Sequence, residues 1–148
     1  MFYQIQQRSQ SQYPEHLTAP MAAELTDNGF ESLHSAEDVE KVLDNTEGTV
    51  FVVVNSVCGC AARNARPAAV ISTRNGKVPA KMVTVFAGVD GAAVQKAREY
   101  FLPYPPSSPS MALFKDGKLV HFVERHHIEG RPAEAIAMNL KKAFETYC

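Results

Sequence analysis

Two kinds of apolar pattern alternate along the chain: unbroken runs, and stripes that recur every three or four residues. "TVFVVVN", residues 49–55, is a run of β-branched and aromatic side chains, which predicts a strand buried on both faces of a parallel sheet and therefore a central one. "AKMVTVFAG", residues 80–88, is a second such run. The intervening "CAARNARPAAVISTRNG" is long enough for a helical crossover, so the three segments predict a βαβ unit. The pattern changes at "MALFKDGKLVHFV", where two apolar runs flank Asp116 and Gly117, a pair that strongly favours a two-residue hairpin turn.

The stripes predict helices. In "TAPMAAELTDNGF", Leu17, Met21 and Leu25 recur every four residues, Thr18 stands where a cap is wanted, and Gly29 suits the position past the helix end. In "SAEDVEKVLDNTEGT", Ser35 is an N-cap with Asp38 three residues on, and Val39, Val42 and Leu43 form one stripe before Gly48. "DGAAVQKAREYF" continues as a helix capped by Asp90 and runs into "LPYPPSSPS", a loop that neither a helix nor a central strand can absorb. "RPAEAIAMNLKKAFETYC" sets Pro132 in its first turn and Ile136, Leu140, Ala143, Phe144 and Tyr147 on one face, predicting a last helix that covers the sheet. Strand, helix, strand, helix, strand, strand, helix is the order of an α/β, thioredoxin-like fold: a mixed central sheet flanked by helices.

A length of 148 residues fits one domain, 1–148, with the Gln- and Ser-rich residues 1–12 as a poorly ordered arm. A formal net charge of -1 and no long Lys/Arg run give no electrostatic reason to expect nucleic acid or an anionic membrane, which leaves a small molecule or a protein as partner. The N-terminal stretch lacks the basic start and apolar core of a signal peptide, and no apolar run approaches roughly 20 residues. A soluble, cytoplasmic protein is the expectation. Three cysteines are too few and too odd in number for a secreted disulfide scaffold, so a reactive or buried role in a reducing compartment is expected.

Two of those cysteines, Cys58 and Cys60, flank Gly59 just where the first apolar run ends. A buried parallel strand delivers its last residues to the carboxyl edge of the sheet, where the next helix starts and ligand sites collect. Unpaired backbone N–H groups and the helix dipole there stabilise a thiolate and lower a cysteine's pKa below its free value of about 8.5. With only Gly59 between them, the sulfurs close a small ring that needs glycine's backbone freedom. That spacing alone predicts a strained, readily opened disulfide of oxidising poise, suited to exchange. Two small core residues, or half of a metal site completed by His126, His127 and Cys148, are the competing readings, but one intervening residue is unusual zinc spacing and no second cysteine pair exists.

Around the motif, Pro67 either kinks the following helix or marks its true first turn, with Arg66 held extended before it. Arg63 and Arg66 either add positive potential at the cysteines or lie on a solvated face. Pro109 directly precedes a strand, the place of a cis proline facing the redox cysteines in thioredoxin-like folds. Cys148 reads as an idle terminal thiol or a third exchange partner, with idleness favoured, and His126 reads as a surface or packing histidine in preference to an anion ligand.

The pieces "ELTDNGF", "VVVNSVCGCAA", "ARPAA", "TVFAG", "REYF", "PSSPSMALF", "VHF", "RHHIEG" and the terminal "YC" occur in order from about Pro20 to Cys148, and in them the chain closely resembles the bacilliredoxin family of thioredoxin-like CGC proteins. The resemblance implies a cytoplasmic thiol-disulfide oxidoreductase that removes bacillithiol, its low-molecular-weight co-substrate, from mixed disulfides on client proteins. Disulfide reductase or isomerase activity on client disulfides is a second implied activity. It implies no metal and no prosthetic group. Carried over by position, Cys58 is the attacking thiol, and Cys60 either resolves the intermediate or stands by. Gly59, Ser108, Pro109 and Ser110 bind substrate, the serines and proline lining the groove that presents the incoming disulfide. Arg63 departs from the small residue common in the family pattern and implies an altered groove or a preference for the acidic bacillithiol. A non-enzymatic metal-binding or interaction module is the alternative from another class; it predicts tight stoichiometric zinc and cysteines that resist alkylation.

Overall fold

In the computed structural model, which describes residues 11–148, the run Thr49–Asn55 forms a strand (β2) in which every residue is buried. β1 (Glu31–Ser32), β3 (Lys81–Phe86), β4 (Ser110–Lys115) and β5 (Lys118–Val123) complete a sheet in the order β1-β3-β2-β4-β5. β2 is therefore central, as its unbroken apolar run Val50–Val54 predicts. β1, β3 and β2 run parallel, whereas β4 pairs antiparallel with β2 and with β5. The sheet is mixed, with its hairpin at one edge. Asp116 and Gly117 take φ of 51° and 82°, the left-handed pair that a two-residue turn between twisted strands demands.

Alternation along β2 assigns the two faces. Phe51 and Val53 point to a core shared with α1 (Glu15–Thr26), α3 (Arg66–Ser72) and the last helix, while Val50, Val52 and Val54 point to a core shared with α2 (Ala36–Asn45) and α4 (Gly91–Tyr100). After β5 come a one-turn α5 (Arg125–Ile128) and the long α6 (Ala133–Tyr147). α6 buries Ile136, Leu140, Ala143 and Phe144, the face its spacing predicts. Phe51 sits between Phe30 and the edge of Phe144, with ring centroids 5.9 and 5.2 Å away. Removing such a ring from water contributes about 1.5–3 kcal/mol.

Several expectations need correction. α1 starts at Glu15 behind Pro14, so Thr18 lies inside the helix with its side chain buried and caps nothing, and Leu17 faces solvent. Pro14 supplies a fixed φ at the helix entry and makes a hydroxyl cap at Thr18 unnecessary. Asp90 does occupy the N-cap of α4, but its carboxylate turns to His34 Nδ1 at 3.0 Å and does not cap. Ser35 caps α2 as predicted, its hydroxyl accepting the Asp38 N–H at 3.1 Å. β1 and α5 were not legible in the sequence. Of the predicted arm, residues 1–10 lie outside the described residues; Gln12 donates its N–H to the Gly88 carbonyl at 2.7 Å. Among the described residues no helix is long and apolar enough to cross a membrane.

Candidate redox site

β2 ends at Asn55, and the chain turns through Ser56 and Val57 into a helical segment that begins beside Cys58. The Cys58 carbonyl accepts the N–H groups of Ala61 and Ala62, at 3.0 and 3.3 Å, so Cys58 stands at the helix N-terminus, as its position after a parallel strand requires. Cys58 and Cys60 are joined in a disulfide with their Cα atoms 5.5 Å apart. Cys58 is the more exposed of the two; Cys60 is buried.

The helix is not regular. A π-helical turn over Ala61–Ala65 precedes α3, and Pro67 follows directly inside α3. Arg66 is helical, with φ -62° and ψ -46°, not extended before the proline. The wider turn leaves room for the proline ring and absorbs the hydrogen bond that its missing N–H cannot make. Pro67 thus marks the point where the π turn becomes an α-helix.

The two arginines go to opposite environments. Arg63 is exposed, and its guanidinium lies against Gly59: a Cβ on Gly59 would stand 3.1 Å from Arg63 Nη2. Glycine here leaves space for a cation beside the cysteines. Arg66, one of whose readings was a solvated face, is fully buried beneath the same turn. It donates to Glu24 Oε1 (2.9 Å), to Asn55 Oδ1 (3.0 Å) and to the Ser56 carbonyl (2.9 Å). A buried guanidinium persists only with such partners.

Ser108, Pro109 and Ser110 lead into β4. Because Ser110 pairs in register with Val54, this loop lies beside the end of β2, next to the turn that carries Cys58. The Ser108–Pro109 bond is cis, as the fold led us to expect; the cis bond at Leu102–Pro103 was not foreseen. Pro109 and Ser110 are buried, and the Ser110 hydroxyl donates to the Ser107 carbonyl at 2.9 Å, so the Ser110 side chain is committed within the loop. Ser108 is half-buried, and its carbonyl accepts from Arg125 Nη1 at 3.1 Å.

Away from the cysteines, Glu124, His126 and His127 bring one ligand atom each within 4.8 Å of one another, a group that does not include Cys148. The set of His126, His127 and Cys148 that would complete a metal site begun by Cys58 and Cys60 therefore does not assemble among the described residues. Cys148 is exposed at the end of α6. Sequence reasoning missed Glu24, Asn55, Ser56 and Arg125 as parts of the site. One signal was available: Arg66 is embedded in the small residues of "ARPAA", the sign of a close-packed helix face on which a charged residue needs a partner.

Comparison with known proteins agrees with this geometry. Residues 13–148 match the family described as Disulphide isomerase. A bacilliredoxin of Cytophaga hutchinsonii is 59% identical over 133 residues, covering 90% of this chain and 98% of that protein. One from Halalkalibacterium halodurans is 52% identical over 136 residues, covering 92% and 94%. Among solved structures, Fasciola hepatica thioredoxin superposes with a TM-score of 0.57 at 19% identity, over 80% of this chain and 100% of that one. A putative oxidoreductase with a thioredoxin fold gives 0.59 at 17%, over 76% and 94%. The fold is thioredoxin-like, the chemistry that of a thiol-disulfide oxidoreductase, and the chain belongs to the bacilliredoxin family.

Proposed function

We propose that the protein removes bacillithiol from mixed disulfides on client proteins, with Cys58 as nucleophile. The observation that carries this reading is the placing of Cys58, half-buried at a helix N-terminus on the sheet's carboxyl edge, beside a more deeply buried Cys60 within bonding reach. Two relatives that share more than half of their aligned residues with this chain bear the name bacilliredoxin, which supports bacillithiol as the small thiol.

The Cys58 thiolate attacks the bacillithiol sulfur of the mixed disulfide, and the client leaves as its thiolate, which takes a proton from water. Cys58 then holds bacillithiol in a new disulfide. The Cys60 thiolate attacks the Cys58 sulfur and expels bacillithiol as a thiolate, forming the Cys58–Cys60 bond. Two electrons from an external thiol reductant restore both cysteines. Ser108 and Pro109 flank the incoming disulfide, with Gly59 giving it close approach, while Ser110 supports the loop from within. Clients reside in the cytoplasm, and neither metal nor prosthetic group takes part.

A second reading, disulfide isomerisation or reduction on clients directly, is favoured by the description of the family that residues 13–148 match. The metal-docking alternative gains no such support, since both sulfurs are engaged with each other.

The test is a substrate panel: one client protein bearing bacillithiol, the same client bearing glutathione, and a scrambled multi-disulfide protein, each mixed with reduced protein and followed by intact mass and regained activity. Faster release of bacillithiol than of glutathione, with little unscrambling, is the predicted result. Unscrambling without release of either small thiol favours the isomerase reading and overturns the first.

A further inference from the structure

Among the described residues, Arg66 is the largest fully buried side chain, 2% exposed. Its hydrogen bonds converge on the turn that carries Cys58. Asn55 Oδ1 accepts both from Arg66 and from the Ser56 N–H, the latter at 2.8 Å, and the Ser56 hydroxyl in turn accepts the Cys58 N–H at 3.0 Å. Asn55 also donates to the Met21 carbonyl at 3.3 Å, which ties α1 to the same network. A continuous path of polar contacts thus runs from Glu24 through Arg66, Asn55 and Ser56 to the backbone of Cys58.

The two charges in that path are unequally screened. The Glu24 side chain is 48% exposed, whereas that of Arg66 is 2% exposed. Water weakens the field of the carboxylate more than that of the guanidinium, so the pair does not cancel at the cysteine turn. We propose that Arg66 is a positioning residue that both holds the Cys58 turn and supplies the positive potential favouring its thiolate, and that Glu24 attenuates that potential. The exposed Arg63 over Gly59 faces the same turn and adds potential that salt screens. The contribution of Arg66 comes from beneath and is salt-resistant. The inference rests on the assignment of Cys58 as the attacking thiol, but its test needs neither client nor bacillithiol.

The experiment is the pH dependence of Cys58 alkylation by iodoacetamide, read by peptide mass in reduced protein carrying Cys60→Ser and Cys148→Ser, alone and with Arg66→Gln, Arg66→Lys or Glu24→Gln. Loss of the cation raises the Cys58 pKa by about 0.5–1 pH unit, which slows alkylation about three- to tenfold on the acid side. Arg66→Lys keeps most of the effect, and Glu24→Gln moves the pKa the other way. Opposite signs for Arg66→Gln and Glu24→Gln, persisting in molar salt, support the proposal, because a purely structural role shifts both variants alike. Shifts of the same sign, or none, overturn it. If Arg66→Gln does not fold, the half-exposed Glu24→Gln decides alone: an unchanged or raised pKa overturns the proposal.

Discussion

Arg125 donates from Nη1 to the carbonyl oxygen of Ser108, 3.1 Å away, and so fastens the one-turn helix after β5 to the loop that opens β4. Its backbone N–H also approaches the Ser107 hydroxyl, at 3.3 Å. These two contacts hold the loop before β4 in place. Arg125 also pairs with Glu129, but that ion pair is exposed and worth at most about 1 kcal/mol.

Replacing Arg125 with alanine therefore separates docking from chemistry. The expected outcome is a several-fold rise in KM for a protein client, with kcat and the reaction of Cys58 with a small aromatic disulfide unchanged, and a loss of stability of about 1 kcal/mol or less. Steady-state kinetics on both substrates, with urea denaturation alongside, check it. An equal loss on both substrates contradicts the docking role.

Tyr100 gives a pH prediction far from the site. Burial first, then its hydrogen bond to Asp44 at 2.8 Å and the nearby Asp44, Glu40 and Glu99 carboxylates, push its phenol from 10.0 up to about 12. The folded state holds this proton more tightly than the unfolded chain does. Its contribution to stability is thus fully present below about pH 10 and is lost as pH rises through about 12. Urea unfolding across that window shows a falling midpoint in the wild type and a flatter dependence in Tyr100→Phe.

Gly117 tests the hairpin. A Cβ there would meet nothing closer than the Leu43 carbonyl at 3.6 Å, an ordinary contact, so Gly117→Ala leaves packing intact and pays only for the left-handed backbone at φ 82°. The expected loss is about 1–2 kcal/mol of unfolding free energy with no change in thiol exchange. A neutral effect on stability shows that the turn relaxes to another form.

β2, the hairpin and the Ser35 cap are local facts: an unbroken apolar run, a two-residue turn and a hydroxyl three residues from its N–H, all readable in a short window. The place of the cysteine pair follows from where a parallel strand must end, whereas that of the loop before β4 follows from the thioredoxin-like fold. The burial of Arg66 was not readable that way, because its partners Glu24 and Asn55 lie on other elements and only the fold brings them together. β1 is two residues long and exists by pairing with β3, and Asp90 leaves its cap because His34 is placed across from it by that same arrangement.

The central claim, that Cys58 takes the adduct and Cys60 clears it, is tested most directly by locating the bacillithiol. Reduced Cys60→Ala protein is mixed with a bacillithiol-bearing client, quenched in acid, digested and mapped by peptide mass. The predicted result is client freed of its adduct, bacillithiol retained on the Cys58 peptide, and, in wild type, a Cys58–Cys60 disulfide with free bacillithiol instead. Client release by Cys58→Ala at the wild-type rate, with the adduct on Cys60 or Cys148, contradicts the account.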